Sequence, residues 1–457
     1  MDSRAVKTVF FVIATRSRVN FMLRTDLFRI LRDRGWSIVI FSPFGGDPEF
    51  QKEFGGKNVI FEALRGAGAL STRFAYLRGM CMQGKHPVLK EARHIHHHMT
   101  RRFRPPRTLR RSVKNLILRL AAALIPPPLR RSQRFWERLI RSAMPKEVAR
   151  IYFEKYRPDL VVVGSAGAEG NDVPFIIEAN AHRVPSIVVD SNLDAATYRY
   201  FSAPWLVSHW ALAGEPQRQE FHKLHGIPLD SMSATGALRY DHYFKGFGPL
   251  LREEFCRSIG VDPAKKLIIM GAKTPIVFPH NDEIIGIILD EIKSGRYGDA
   301  QLYVRFDPGH DISIYSKEFL GSFSWERAED APGEDHIGNL LYHADVYLGL
   351  GATTLSIEAC AVGTPSLWIG FDGNTVYKDR RESCRLQYDL PVFKRLVASG
   401  GIPLVESRED LLRQIEIFLK NPDINKKERE TMLQTEYANA EDGRAGERIV
   451  ALIDGLI

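Results

Sequence analysis

Residues Asp345 to Pro365 read DVYLGLGATTLSIEACAVGTP, an apolar run that stops on Gly-Ala-Thr-Thr and resumes as a helical stretch holding one acid, Glu358. A strand end followed by a helix start presents unpaired N–H groups and the positive end of a helix dipole. Phosphate and other anions are favoured there. Gly349 and Gly351 permit close backbone approach. Thr353 and Thr354 can cap the helix or bind an oxygen. Glu358, one turn in, is spaced to accept hydrogen bonds from a vicinal diol such as a ribose. The plainer alternative is that Thr353 only caps and Glu358 is only solvated, and spacing alone does not separate the two. "MGAKTP" (270–275) offers Lys273 and Thr274 as pyrophosphate contacts, against the alternative of a solvated loop lysine.

These residues need a scaffold that delivers strand ends together. Apolar runs at 7–14, 36–43, 58–64, 158–167, 184–192, 209–216 and 231–236 form one series, and 265–273, 300–308, 344–352 and 364–372 a second. Continuous apolar runs separated by helical segments, as around 280–293 and 353–361, predict parallel sheets covered on both faces. The fold class expected is α/β, with two Rossmann-like doubly wound domains facing a cleft. The first is expected over 1–240 with a helical insertion at about 66–157. The second covers 241–457, its last helix placed to pack back on the first domain. The junction is expected near "TGALRYDHYFKGFGP" (235–249). In such sheets ligands bind beyond the carboxyl ends of the strands.

The 457 residues suit two or three domains, and 44% apolar composition suffices for their cores. No run reaches the ~18–20 apolar residues that cross a bilayer. The four cysteines show no metal-ligand spacing, which points to a reducing cytoplasm. "HIHHH" (94–98) lacks an acidic or cysteine companion, so a solvated helix or a pH-sensitive interface is preferred and no metal is expected. Charge is concentrated: residues 101–146 hold fourteen Lys/Arg and one acid, Glu137, a local +13, while the whole chain carries +8 and the remainder therefore −5. Within it Leu109, Val113, Leu116, Leu120 and Leu124 recur at helical spacing. Basic residues beside an apolar stripe suit an anionic membrane surface, with Trp136 expected to dip in beside the leucines. A solvated insertion or a partner-binding face is the alternative. No nucleic-acid motif is present, so no nucleic acid is expected.

"ADVYLGLGATTLSIEACAVGTPSL" resembles the nucleotide-binding stretch of GT-B glycosyltransferases and related nucleotide-sugar enzymes, with Asp345, Gly351, Thr353, Thr354, Glu358, Ala359, Gly363 and Pro365 at the characteristic places. "TGALRYDHY" (235–243) is similar to their junction segment, except that Ala237 and Leu238 replace an Asn-Pro pair. "LYVRFDPGHD" (302–311) resembles the Arg-Pro-His-Pro strand end of capsule and teichoic-acid type transferases. The resemblance makes Arg305 and His310 donor-phosphate ligands, although Phe306 to Gly309 break the usual spacing. It also implies acceptor contacts after the first strand, where Arg18, Asn20 and Asp26 stand, and no metal or other cofactor beyond the nucleotide-sugar substrate.

Retaining members of such families often show two glutamates eight positions apart; eight before Glu358 stands Leu350. That implies inversion, with a first-domain base within hydrogen-bond reach of the acceptor hydroxyl. Glu169, in the Gly-rich loop "GSAGAEGND" (164–172), is the first candidate, followed by Asp194 and Asp26; each also has a capping or surface alternative. The expected activity is transfer of a sugar from a nucleotide-sugar donor to a lipid-linked or surface-polysaccharide acceptor. The expected location is cytoplasmic, peripheral on the inner face of the membrane. A teichoic-acid-type polyol-phosphate transferase, a nucleotide-sugar 2-epimerase and a non-catalytic GT-B glycan-binding scaffold are the alternatives.

Overall fold

In a computed structural model the chain is described from residue 6 to 457, apart from 67, 84–85, 100–108, 146, 168–170, 191, 199–200, 202–203, 276, 331–332 and 380–381. It divides into two compact units. One comprises residues 1–91, 107–241 and 436–457; residues 242–435 form the body of the other.

The first unit is built on a seven-stranded sheet of β1 (Thr8–Val12), β2 (Ser37–Ser42), β3 (Val59–Ala63), β4 (Leu160–Val163), β5 (Ser186–Asp190), β6 (His209–Leu212) and β7 (Met232–Ala234). The order is β3-β2-β1-β4-β5-β6-β7, with every pair parallel. β1 sits centrally with both faces buried, which is why "VFFV" needs no polar alternation. Phe10 and Val12 face one core layer; Val9 and Phe11 face the other. Strand order reverses between β1 and β4, which places the switch point at the loops after those two strands.

Helix α1 (Asp26–Asp33) buries Leu27, Phe28 and Leu31 in that second layer. The C-terminal helix of the chain joins them there through Ala445, Ile449, Val450 and Ile453. The insertion contributes α2 (Ala69–Gln83), α3 (Leu109–Leu124) and α4 (Gln133–Ser142). Ala75 of α2 and Ile140 of α4 pack on Val173 and Ile177 of α5 (Val173–His182). Glu178 of α5 is 1% exposed and faces Arg150 at 3.3 Å and Arg141 at 3.5 Å. Two cations therefore hold the base of the insertion to the sheet layer. A buried carboxylate is tolerable only with such partners.

Trp136 departs from expectation. It is fully buried, and its indole N–H donates to the Arg130 carbonyl at 3.0 Å, so it packs inside the insertion and does not reach lipid. Ile140, one turn on, is the other buried residue of this helix, so the Trp136–Ile140 face turns inward, a preference that helical period alone does not reveal.

The second unit has a six-stranded parallel sheet of β8 (Lys266–Ala272), β9 (Ala300–Phe306), β10 (Ser324–Arg327), β11 (Val346–Leu350), β12 (Ser366–Ile369) and β13 (Leu404–Val405), in the order β10-β9-β8-β11-β12-β13. Its switch point lies between β8 and β11. Helices α6 (Asn281–Lys293), α7 (Glu334–His343) and α8 (Thr354–Ala361) follow β8, β10 and β11. The helix Ala445–Leu456 is α9. The eleven expected strands are present. β10 and β13 are additional: "SWER" is a half-buried edge strand without an apolar run, and β13 has two residues.

Candidate functional site

In the second unit the loops after β8 and β11 carry most of the candidate donor residues. Asn281, the first residue of α6 and fully buried, fastens the β8 loop. It accepts from the Lys273 N–H at 3.1 Å, and its amide donates to the Lys273 carbonyl at 2.9 Å. The Thr274 carbonyl accepts the N–H groups of Val277 and Phe278. The Lys273 ammonium lies 3.1 Å from Asp307, both side chains part-exposed at the strand ends. A surface pair of this kind adds little stability, so the cation can turn to an incoming anion at small cost.

After β11, Gly351 has φ +76°, and a Cβ there would meet the Gln387 side chain at 2.8 Å. The position thus needs glycine for backbone and for space. Thr353 caps α8, its hydroxyl accepting from the Ser356 N–H at 3.4 Å, while Thr354 is exposed at the first turn. Glu358 is 3% exposed and accepts the Tyr243 hydroxyl at 3.2 Å. The alternative of a merely solvated Glu358 is therefore overturned: burying a carboxylate is costly and requires polar company. Behind this turn the Tyr347 hydroxyl is fully buried where a side chain on Gly271 would collide with it, and burial pushes its ionisation well above the usual tyrosine range.

Arg305 and His310 sit differently from a simple phosphate pair. Arg305, 5% exposed, is ion-paired with Glu326 of β10. Glu326 also accepts from Tyr303 at 2.8 Å and lies 2.7 Å from His336. Burial alone would raise that carboxyl, but His336, Arg305 and Tyr303 together hold it below its usual range. His310 is 3% exposed, with Nε2 3.0 Å from the Tyr315 hydroxyl, and burial lowers its pKa, favouring the neutral ring. A neutral histidine serves an anion by hydrogen bonding, not by charge.

A further cluster was not anticipated. His280, at the start of α6, places Nδ1 3.0 Å from Glu283 and Nε2 2.8 Å from the Tyr377 hydroxyl, and Glu283 accepts the Asn374 N–H at 2.6 Å. This ties the loop after β12 to the helix after β8. Its one sequence trace is the i,i+3 spacing of His280 and Glu283.

In the first unit, Arg18 lies in the turn after β1 and is 1% exposed. Its guanidinium stem covers Gly164 just past β4: a Cβ on Gly164 would fall 2.6 Å from Arg18 Cδ. Its Nη1 stands 3.9 Å from Asp190, the last residue of β5, also 1% exposed. Ser165 donates to the buried Asp172 at 2.6 Å. The structure thus assembles Arg18, Gly164, Ser165, Asp172 and Asp190 at neighbouring strand ends. Glu169 lies outside the described residues. Asn20 accepts from Arg24 at 2.8 Å. Asp194 is half-buried, and its carbonyl accepts both the N–H and the hydroxyl of Thr197. Asp26 sits in the first turn of α1 and pairs with Arg29 at 2.9 Å. Among the described residues no cluster of His, Cys, Asp and Glu has metal-holding geometry.

No protein-family model matches the sequence, and no curated protein matches it significantly. Solved structures do. The UDP-GlcNAc 2-epimerase of Methanocaldococcus jannaschii aligns with a TM-score of 0.56 at 14% identity, over 98% of this chain and 99% of that one. The chain has the GT-B fold. The 2-epimerase of Neisseria meningitidis bound to UDP-GlcNAc aligns with a TM-score of 0.56 at 14% identity, over 98% of this chain and 100% of that one. A glycosyltransferase from Rickettsia africae aligns with 0.52 at 12% identity, over 99% and 98%. The GT-B architecture accounts for the reversal of strand order in each sheet and for the position of candidate residues in the loops beside it.

Proposed function

We propose that this GT-B chain is an inverting glycosyltransferase. It moves a sugar from a nucleotide-sugar donor to a lipid-linked or surface-polysaccharide acceptor at the inner membrane face, with the basic insertion holding it at that surface. The observation that carries the reading is Glu358, a buried carboxylate one turn into α8, directly beyond the Gly351 turn at the switch point of the second sheet. In this reading residues 241–457 take the donor. Glu358 accepts from the ribose diol while the N–H groups at the start of α8 and the Lys273 ammonium receive the diphosphate. Gly351, Thr353, Thr354, Thr274, Arg305 and His310 shape the same pocket. Residues 1–240 take the acceptor against Arg18 and Asn20. A first-domain carboxylate, Glu169 before Asp194 or Asp26, removes the proton of the acceptor hydroxyl as its oxygen attacks the anomeric carbon. The bond from that carbon to the nucleotide phosphate breaks, and the nucleoside diphosphate leaves with the electron pair. The UDP-GlcNAc held by the Neisseria enzyme makes UDP-sugars the first donors to try.

A 2-epimerase is the second reading, favoured by the recurrence of 2-epimerases among the similar structures. Incubation with UDP-GlcNAc separates the two. A transferase releases UDP in proportion to acceptor added and leaves the configuration at C2 unchanged. An epimerase converts the sugar at C2 with no acceptor present, and that result would overturn the transferase assignment.

A further inference from the structure

Among the described residues, helix α3 presents an exposed apolar face. Val113, Leu116, Ile117, Leu120 and Leu124 are between 47 and 81% exposed. Their spacing of three, four, seven and eleven residues from Val113 sets them along one stripe. The opposite side is the one that packs: Leu118 and Ala122 are half-buried, and the Ala122 carbonyl lies 4.0 Å from the Cys81 sulfur on α2. Exposed apolar residues scattered singly are ordinary, whereas a continuous stripe of five marks a contact surface.

We infer that this stripe is a bilayer-docking face, seated at the boundary of headgroups and acyl chains of an anionic membrane with α3 lying in the plane. Charge decides the occupant. The segment 101–146 carries +13, and α3 itself holds Arg110, Arg111, Lys114 and Arg119 with no acid. A second copy of the chain docking by two-fold symmetry would set this charge against itself. A surface of anionic lipid complements it. The arginines are also sorted by the fold. Arg130 is spent on the carbonyls of Ile125 and Ala123, and Arg141 on Glu178, while Arg131, Arg134 and Arg138 are exposed. At sixteen residues α3 is about 24 Å long, short of a span. No described helix is long and apolar enough to cross a membrane. The proposal sharpens the transferase reading by naming the face that meets the membrane of a lipid-linked acceptor. Its evidence is independent of that reading.

The test is co-sedimentation of the full chain with vesicles of phosphatidylcholine containing about one third phosphatidylglycerol, and with vesicles of phosphatidylcholine alone. The wild type should bind the anionic vesicles, weaken as salt is raised, and bind the neutral ones poorly. Leu116→Gln with Leu120→Gln should lower the affinity about tenfold or more, with circular dichroism unchanged because both side chains already face solvent. Arg131→Gln, Arg134→Gln and Arg138→Gln together should flatten the salt dependence. Wild type that ignores anionic vesicles, or a double variant that binds as well as wild type, overturns the proposal. So does a dimer in solution that the double variant dissociates. Nucleotide-sugar binding is measured in the same samples without vesicles: vesicle binding without nucleotide binding removes the transferase reading and leaves the docking face, and the converse removes the face and the membrane attachment while leaving the transfer reaction.

Discussion

Glu358 and Gly164 show what single residues decide here. Glu358 is buried against Tyr243, so a ribose diol bound to it must share the carboxylate with that phenol. Hydrogen bonds to charged groups contribute about 1.5–3 kcal/mol, so Glu358→Ala should weaken nucleotide-sugar affinity by roughly tenfold to a hundredfold in titration calorimetry; unchanged affinity removes Glu358 from the donor site. Gly164 is closed to any side chain by Arg18. Gly164→Ala should cost about 1–3 kcal/mol of stability in urea unfolding. Gly286, mid-helix in α6 with open space around it, should behave oppositely. There Gly286→Ala should gain about 0.5–1 kcal/mol from reduced freedom of the unfolded chain and better helix propensity. The candidate residues were legible by type and spacing, but their burial was not. The sequence could not show that Arg305 is neutralised by Glu326 or that His310 is enclosed, because their partners lie on other elements.

At the scale of elements, the long apolar runs announced their strands because both faces of each central strand are buried. "SWER" concealed β10, since an edge strand half-exposed to solvent has no reason to be apolar. Missing β10 meant missing Glu326, and with it the partner of Arg305. The insertion shows the same limit: the leucine stripe of α3 was readable from its period, whereas Trp136 was assigned to the wrong side because helical spacing does not say which face meets protein. The N-terminus of α9 depends on one residue far away in sequence. Asp241 accepts the N–H groups of Ala445 and Gly446, each at 2.9 Å, and the Asn439 amide at 2.6 Å. Asp241→Ala leaves those donors buried and unmatched. It should cost about 1–3 kcal/mol and increase hydrogen exchange across α9 first; protection unchanged there would show that the cap is dispensable.

The whole molecule should carry a pH signature. Burial lowers the pKa of His310 and of His343, so the folded chain binds fewer protons at these sites than the unfolded chain. Their contribution to stability is complete above the unfolded histidine value near 6.5 and is lost as pH falls through the lowered folded values. The melting temperature should therefore drop between neutral and mildly acid pH, and His310→Asn should flatten part of that slope. A slope identical in the variant would show that His310 is not the group responsible. The GT-B fold itself was readable from the alternation of strands and helices and from the Asp345–Pro365 segment, while the sugar, the nucleotide base and the acceptor leave no trace in spacing. The most direct test of the account is therefore a thermal-shift titration of the full chain with nucleoside diphosphates and their sugar conjugates. A ligand that binds only the folded state at a hundred times its Kd adds about 2.7 kcal/mol. At least one nucleotide sugar should raise the melting temperature of the wild type and fail to raise that of Glu358→Ala. A panel that leaves the wild type unmoved, or moves both proteins equally, contradicts a donor site built around Glu358.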